Sequence, residues 1–301
     1  MNDTAARATL TRRAAIASVS SATILLFLKA YAARATGSVA MLGSLADTGL
    51  DLLSSLVTLY AVWLAAQPAD ADHRFGHGKA EAIAALMQTL VILGSAVAIG
   101  ARAVMALGSR TTPTNPGIGI GISLGAAAMT LVLVGYQRYV VRATGSIAIG
   151  TDQIHYQSDL FLNLAVVVAF ALDAYAGVRG ADAVFGIGIA LYLAYGAVTS
   201  ARSAVDMLMD REWPETKRQT LLAVVARHPR VDGVHELRTR SSGVTDFIQF
   251  HVWLAPEMTV ACAHAIVDEI EADVASAFPG AEILIHVDPL GHYDRPQILG
   301  A

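Results

Sequence analysis

The stretch that decides the fold is residues 40–56, AMLGSLADTGLDLLSSL, which lies inside an apolar run from about residue 38 to residue 66. A helix needs about 20 apolar residues to cross a bilayer, so this run is long enough to span one. Yet the stretch carries Asp47 and Asp51, whose spacing puts them on one helix face, one turn apart. A charged side chain at the bilayer centre costs about 2.5–3.5 kcal/mol on insertion scales. A bound cation would offset that cost.

A second copy of the pattern lies further along the chain. The motif RATGSVA at residues 34–40 returns as RATGSIA at residues 142–148, an offset of 142 − 34 = 108 residues. Carried forward without a gap, the offset pairs the two acids with two polar residues of the second copy: Asp47 with His155, and Asp51 with Asp159. Two helices that each offer two ligands predict a four-ligand cation site inside the membrane. The alternative is two unrelated polar pairs that only hydrogen-bond between helices.

Composition divides the chain into two parts. Hydrophobic residues make up 54% and charged residues 15% of the 301 residues, whereas a soluble domain has roughly 25% charged residues. Residues 1–210 carry 13 basic and 12 acidic residues, net +1, and residues 211–301 carry 8 and 13, net −5. We therefore predict a membrane domain over 1–210 and a soluble domain over 211–301. The single cysteine, Cys262, excludes a disulfide framework and is predicted to be a small buried side chain.

Six apolar runs predict six membrane helices, separated by clusters of glycine, proline and charged residues. They cover about residues 12–33, 38–66, 80–108, 116–141, 146–176 and 181–208. The first run is too long for a signal peptide and has no clear cleavage site. Arginine and lysine are more frequent at the flanks that an inside N-terminus would put in the cytoplasm, so both termini are predicted to be cytoplasmic.

This topology makes the repeat an inverted one, because each half contains three spans. The second and fifth helices then run antiparallel, and a site at the interface of inverted repeats is typical of transporters. Asp47 lies ten residues past Gly37, about 15 Å along a helix at 1.5 Å per residue, which places it near the middle of the bilayer.

The predicted loop between the second and third helices contains Asp70, His73 and His77. Carboxylate and imidazole groups are ligands for divalent metals, and the neighbouring glycines permit a tight path. The sequence leaves two alternatives here, a metal site and an ordinary solvated loop.

The soluble part predicts an α-β-β-α-β fold, with helices over about residues 215–228 and 259–278 and strands over 233–239, 245–254 and 282–287. Four histidines on four of these elements, with one carboxylate, predict a second metal site: His235, His251, His264, His286 and Asp288. The alternative is that they are ordinary surface or core residues. His228 is predicted to be solvated.

The residues that carry these features resemble the cation diffusion facilitator family, most of all its bacterial zinc and ferrous-iron efflux members. The resemblance covers nearly the whole chain. Four motifs carry it: the acid pair Asp47 and Asp51, the loop from Gln67 to Glu81 with its FGHGKAE sequence, the pair His155 and Asp159, and the HELRTR motif that starts at His235.

The resemblance implies a homodimer in the bacterial inner membrane. Each protomer would be an α-helical membrane protein with six transmembrane helices in a 3+3 inverted repeat, followed by a metallochaperone-like, ferredoxin-like α+β cytoplasmic domain. Its implied partners are divalent cations, protons and the lipid bilayer, with no nucleic acid. The implied site residues are Asp47, Asp51, His155 and Asp159 for transport, Asp70, His73 and His77 in the loop, His235, His251, His264, His286 and a bridging Asp288 in the cytoplasmic domain, and a Lys79–Asp210 charge pair at the dimer junction.

Three carboxylates and one imidazole can surround Zn²⁺ tetrahedrally, and Fe²⁺, Cd²⁺, Co²⁺ and Mn²⁺ are alternatives. Every ligand must be deprotonated to bind a metal, so protons and metal compete. These points predict a metal/proton antiporter that works by alternating access, with His155 as the coupling group at neutral pH.

Two alternative functions fit the sequence less well than transport does. An intramembrane metalloenzyme would keep a metal position open for water, whereas four protein ligands close the site and the chain has no HExxH motif. A membrane-bound metal sensor would need the cytoplasmic site but no intramembrane acids. The sequence therefore predicts a transporter and not an enzyme.

Overall fold

A computed structural model of the chain describes residues 3–36, 39–106, 116–176, 181–243 and 245–292. These residues form two compact units. One unit is Arg7–Asp206, and the other is Met207–Ala301 together with Met1–Ala6. The predicted boundary between residues 210 and 211 stays a prediction.

Among the described residues, six long helices precede the first strand. They are α1 (Asp3–Thr36), α2 (Val39–Ala65), α3 (Ala80–Ala106), α4 (Pro116–Thr144), α5 (Ile147–Ala176) and α6 (Ala181–Leu208). Each helix coincides with one predicted span. The chain turns from α4 into α5 at Gly145, whose φ of 71° lies in the left-handed region that glycine adopts without steric cost.

Five of these helices contain described segments that are long and apolar enough to cross a membrane. The segments are Ala6–Tyr31, Asp47–Ala65, Ala80–Met105, Leu124–Thr144 and Ala183–Leu208. No segment of α5 is among these five, and its first half carries Asp152, His155 and Asp159. With 30 residues, α5 is nevertheless long enough to span a bilayer.

The unit Arg7–Asp206 contains nearly all residues of the six long helices and is called the membrane unit below. Small and β-branched side chains pack its helices against one another. One buried cluster joins α1, α2, α4 and α5 through residues such as Ala15, Val62 and Ile149. Another joins α3 to α6 through Ile92 and Leu193. Alanine and glycine at such contacts let helix backbones approach closely, which drives helix association in lipid.

The second unit is a small α+β domain. Its elements are α7 (Glu215–Val225), β1 (Gly233–Ser241), β2 (Asp246–Leu254), α8 (Val260–Ala277) and β3 (Glu282–Pro289), in the predicted α-β-β-α-β order. β2 is the central strand, antiparallel to β1 and parallel to β3. Both helices pack on the sheet to form one core, which includes Leu221 of α7, Ile248 and Val252 of β2, and Ile266 and Ile270 of α8.

Candidate metal centres

The membrane unit contains a cavity of about 530 Å³ that all six helices line, with carboxylates and an imidazole contributed by α2 and α5. Three of the predicted transport ligands converge there: Asp51, His155 and Asp159 offer ligand atoms that all lie within 4.8 Å of one another. His155 Nε2 is 2.8 Å from Asp51 Oδ1 and 3.9 Å from Asp159 Oδ2. His155 is buried, with 8% of its surface exposed, so the group sits largely out of solvent at the α2–α5 interface.

Asp47, the fourth predicted ligand, lines the same cavity but is not part of this close group. It lies one helical turn before Asp51 on α2 and is exposed to the cavity. The structure therefore brings three of the four predicted residues together and leaves the fourth one turn away.

A hydrogen bond between α2 and α5 holds the site together next to the imidazole. The hydroxyl oxygens of Ser55 and Tyr156 are 2.8 Å apart. Ser55 follows Asp51 by one turn on α2, and Tyr156 follows His155 directly on α5. Both hydroxyls are buried, and burying them without a partner would be costly in lipid. The pair thus fixes the register in which Asp51 meets His155.

Lys29 and Asp152 are two of the ionisable residues in or near the cavity that are not among the predicted site residues. Lys29 of α1 lines the cavity. Asp152 of α5 is fully buried, and its two oxygens accept hydrogen bonds from Gln88 Nε2 at 3.3 Å and from Gln137 Nε2 at 2.8 Å. A charged residue inside an apolar run is the signal that could have found both, since such residues are rare in membrane helices and usually have a role.

Asp152→Ala is expected to destabilise the protein, because two buried amide groups donate hydrogen bonds to this carboxylate. Asp152→Ala removes one of two acceptors from each amide group, because Gln88 Nε2 also donates to Thr58 Oγ1 and Gln137 Nε2 also donates to Ser18 Oγ. Each buried N–H that is left unsatisfied costs about 1–3 kcal/mol. We expect a clearly lower free energy of unfolding in detergent. Thr89→Val is the matched control, because the buried Thr89 hydroxyl donates only to Ala85 O of its own helix. Equal stability of the two variants would show that the Asp152 bonds contribute nothing.

The loop between α2 and α3 brings its three predicted ligands together. Asp70, His73 and His77 form a second group of ligand atoms within 4.8 Å of one another. Asp70 Oδ1 is 3.3 Å from His73 Nδ1, and Asp70 Oδ2 is 3.3 Å from His77 Nε2. One carboxylate thus faces both imidazoles, with Asp70 and His73 exposed and His77 mostly buried.

The conformation of the loop keeps Asp70 ionised. Its Oδ1 accepts hydrogen bonds from the backbone N–H groups of His73 at 2.7 Å and of Asp72 at 3.0 Å. The bond from the His73 amide is the main reason why the pKa of Asp70 lies below its ordinary value. An anionic carboxylate beside two imidazoles is a donor set that suits a divalent metal such as Zn²⁺.

In the second unit, the register of the sheet aligns three of the predicted histidines. His235 of β1 pairs with His251 of β2, and His251 pairs with His286 of β3. The ring centroids of His235 and His251 are 5.2 Å apart, and those of His251 and His286 are 4.6 Å apart. Asp288 lies two residues after His286, which puts its side chain on the same face of the strand.

Asp288 is the centre of this row. Its Oδ2 lies 2.8 Å from His251 Nδ1 and 3.0 Å from His235 Nε2, and its Oδ1 lies 3.4 Å from His286 Nε2. Burial alone would raise the pKa of Asp288, but the hydrogen bond from His251 and the charge of His286 outweigh it and hold the pKa below its ordinary value. A carboxylate with both oxygens facing imidazoles is suited to bridge two cations.

β1 is irregular beside the first of these histidines. Its pairing with β2 shifts between His235 and Arg238, and Glu236 has a φ of 48°. A bulge of this kind re-aims the neighbouring side chains and is common next to functional sites. The sequence contains no glycine at this position to signal it.

His264 is the predicted ligand that lies apart from the row. It sits on α8, where its Nδ1 is 3.6 Å from Asp268 Oδ1, and three quarters of its side chain is exposed. Two other predictions for this unit are wrong. His228 is buried against Glu269, with 2.9 Å between its Nε2 and Oε2, and not solvated. Cys262 is exposed, because it lies in the first turn of α8 while the buried row of that helix begins only at Ile266.

Comparison with protein families matches both parts of the chain. Residues 15–209 match the family model described as the cation efflux transmembrane domain, and residues 213–290 match that of the cation efflux protein cytoplasmic domain. These matches confirm the predicted fold class, a helical membrane domain followed by an α+β cytoplasmic domain. They also support dimerisation through the cytoplasmic domain.

Individual relatives agree with the family models. The chain is 42% identical over 280 residues to the cation-efflux pump FieF of Escherichia coli O127:H6, covering 93% of both chains, and equally so to FieF of Shigella flexneri serotype 5b. Among solved structures, the metal-bound C-terminal domain of the CzcD transporter from Thermotoga maritima is 28% identical, covering 27% of this chain and 98% of that one with a TM-score of 0.25. The two family models and the 42% identity to FieF show that the chain belongs to the cation diffusion facilitator family and is a cation efflux transporter of the membrane, not an enzyme.

Proposed function

We propose that the protein exports a divalent metal cation in exchange for protons by alternating access. The observation that supports this most is the group formed by Asp51, His155 and Asp159, whose ligand atoms lie within 4.8 Å of one another beside a membrane cavity. We assign these residues and Asp47, which lines the same cavity, to the transport site. Asp47 would complete the shell by turning toward the other three when the cation enters.

Proton coupling follows from the chemistry of the ligands. His155 Nε2 faces Asp51 Oδ1 at hydrogen-bond distance, so in the metal-free site one proton lies between the two groups. A metal needs the lone pairs of both atoms, and its binding therefore has to displace that proton. When the site opens to the opposite side, protons can in turn displace the metal.

The ligand set favours Zn²⁺ as the cargo, because three carboxylates and one imidazole suit tetrahedral zinc. Fe²⁺, Cd²⁺, Co²⁺ and Mn²⁺ use the same ligand types, so they are secondary candidates. The two FieF relatives described above are named as cation-efflux pumps.

The remaining sites fit the same function. We propose that Asp70, His73 and His77 bind metal in the loop, and that His235, His251 and His286 bind two metals across Asp288, with His264 as an outer ligand. The proposed membrane domain is residues 1–210, and the cytoplasmic domain is residues 211–301. Both termini would face the cytoplasm of a bacterial inner membrane, and a homodimer would form through the cytoplasmic domain and the Lys79 and Asp210 region.

His155→Asp tests the role of the imidazole. An all-carboxylate site suits harder cations such as Mn²⁺, whereas imidazole suits zinc. We expect the variant to lose its preference for Zn²⁺ over Mn²⁺ in competition assays. An unchanged rank order of metals would contradict the assignment of His155 as a ligand.

Flux in vesicles tests the proposed function as a whole. The purified protein is placed in lipid vesicles, a pH gradient is imposed, and Zn²⁺ uptake and proton release are recorded with separate fluorescent dyes. We expect Zn²⁺ uptake that depends on the gradient, with protons moving in the opposite direction. Metal movement without any proton movement would leave a transporter but rule out antiport.

A further inference from the structure

A lysine lies in the cation cavity, which is unexpected for a site that must hold a metal. Lys29 belongs to the membrane-spanning segment Ala6–Tyr31 of α1 and lines the cavity together with Asp47, Asp51 and Asp159. An ammonium group within a membrane segment is costly unless other groups compensate it. Its position in the cavity therefore calls for a role.

The ammonium is held in place by the transport helix itself. Lys29 Nζ donates a hydrogen bond of 2.6 Å to Thr48 Oγ1. Thr48 is buried and lies on α2 between the two acids, and its hydroxyl proton is already donated to Ser44 O at 3.1 Å. The threonine oxygen is thus free to accept from the ammonium, and it fixes the charge beside the acid pair.

Thr48 is neutral, so this hydrogen bond positions the lysine charge without cancelling it. Three carboxylates face the same cavity, and the charge of Lys29 interacts with that of Asp159. Three acids and one ammonium carry a net charge of −2, which one divalent cation neutralises. Without the ammonium the three acids would carry −3 and would hold a cation more tightly. The ammonium and the cation are like charges, and like charges repel strongly in a site of low dielectric.

We propose that Lys29 is a resident counter-cation that sets the affinity of the transport site. It repels the bound metal, weakens binding in this conformation and thereby favours release of the metal into the cavity. This inference rests on the proposed function of the Asp51–His155–Asp159 group. It makes Lys29 an affinity-determining residue and not a ligand.

The test is the dissociation constant for Zn²⁺ of the full-length protein, measured by calorimetry. Subtracting the isotherm of the same protein with Asp51→Ala isolates binding at the membrane site from binding elsewhere. We expect Lys29→Met to lower this dissociation constant by about tenfold or more, as the loss of a nearby like charge predicts. Lys29→Gln serves the same purpose if the Met variant does not fold, and Lys29→Arg should retain the wild-type value.

Two controls separate charge from structure. Thr48→Val removes the hydrogen bond that positions the ammonium but keeps the charge in the cavity, so it should lower the dissociation constant less than Lys29→Met does. Arg102→Gln removes a second cation that lines the cavity. Arg102 is exposed, so solvent screens its charge, and this variant should change the affinity little.

Unchanged or weaker Zn²⁺ binding in the Lys29→Met and Lys29→Gln variants would overturn the proposal and leave Lys29 as a structural tie between α1 and α2. A wild-type protein with no Asp51-dependent binding would instead overturn the proposed transport site itself, and the role of Lys29 with it.

Discussion

Asp51→Ala is expected to reduce Zn²⁺ flux to the level of empty vesicles, while the protein still folds and inserts. Asp51 Oδ1 is the closest partner of His155 Nε2, at 2.8 Å. Removing this carboxylate opens one ligand position and leaves a divalent cation under-neutralised in an environment of low dielectric, where an uncompensated charge is expensive. The effect should therefore be nearly complete and not partial.

The matched control is Asp206→Ala, which removes a carboxylate from α6 that does not line the cavity. It should transport at close to the wild-type rate. Gel filtration and thermal unfolding would confirm that both variants fold. Near-wild-type flux of Asp51→Ala would contradict the assignment of the transport site.

Asp288→Ala is expected to remove most of the metal held by the cytoplasmic domain. All three histidines of the row face this one carboxylate within 3.4 Å. Without it, bound cations would lose their bridge and their only anionic ligand in the row, and the histidines would stand close together without compensation. The measurement is elemental analysis of the full-length protein in a background with Asp51→Ala and Asp70→Ala, so that neither the membrane site nor the loop site contributes.

Asp273→Ala provides the comparison, because it removes an exposed carboxylate of α8 and should leave the metal content unchanged. If Asp288→Ala retained its metal, the three histidines would be ordinary strand residues that do not bind metal across Asp288.

The sequence was sufficient to predict the elements of the fold. Apolar runs of membrane length gave the helices, and alternation in residues 247–253 gave the central strand. The repeat register was informative because it paired residues on two distant helices, and the structure does bring His155 next to Asp51. Such a pairing can be read from sequence because helix periodicity and the offset together fix which faces meet.

Other features depend on tertiary contacts that no local pattern encodes. The presence of Asp152 in an apolar run is visible in the sequence, but its partners are not, because Gln88 and Gln137 reach it from α3 and α4. The alignment of His235, His251 and His286 requires the register of three strands, one of which is joined through the crossover helix α8. Burial of His228 and exposure of Cys262 likewise depend on where α8 lies on the sheet.

The most direct test is to locate the metal itself. Crystals of the full-length protein soaked in Zn²⁺ would be measured at the zinc absorption edge, where anomalous scattering identifies zinc. We predict a peak between α2 and α5 at about 2.0–2.2 Å from ligand atoms of Asp51, His155 and Asp159, and no such peak in Asp51→Ala. Zinc peaks confined to the loop and the cytoplasmic domain, in crystals of a protein that transports zinc, would contradict the central claim.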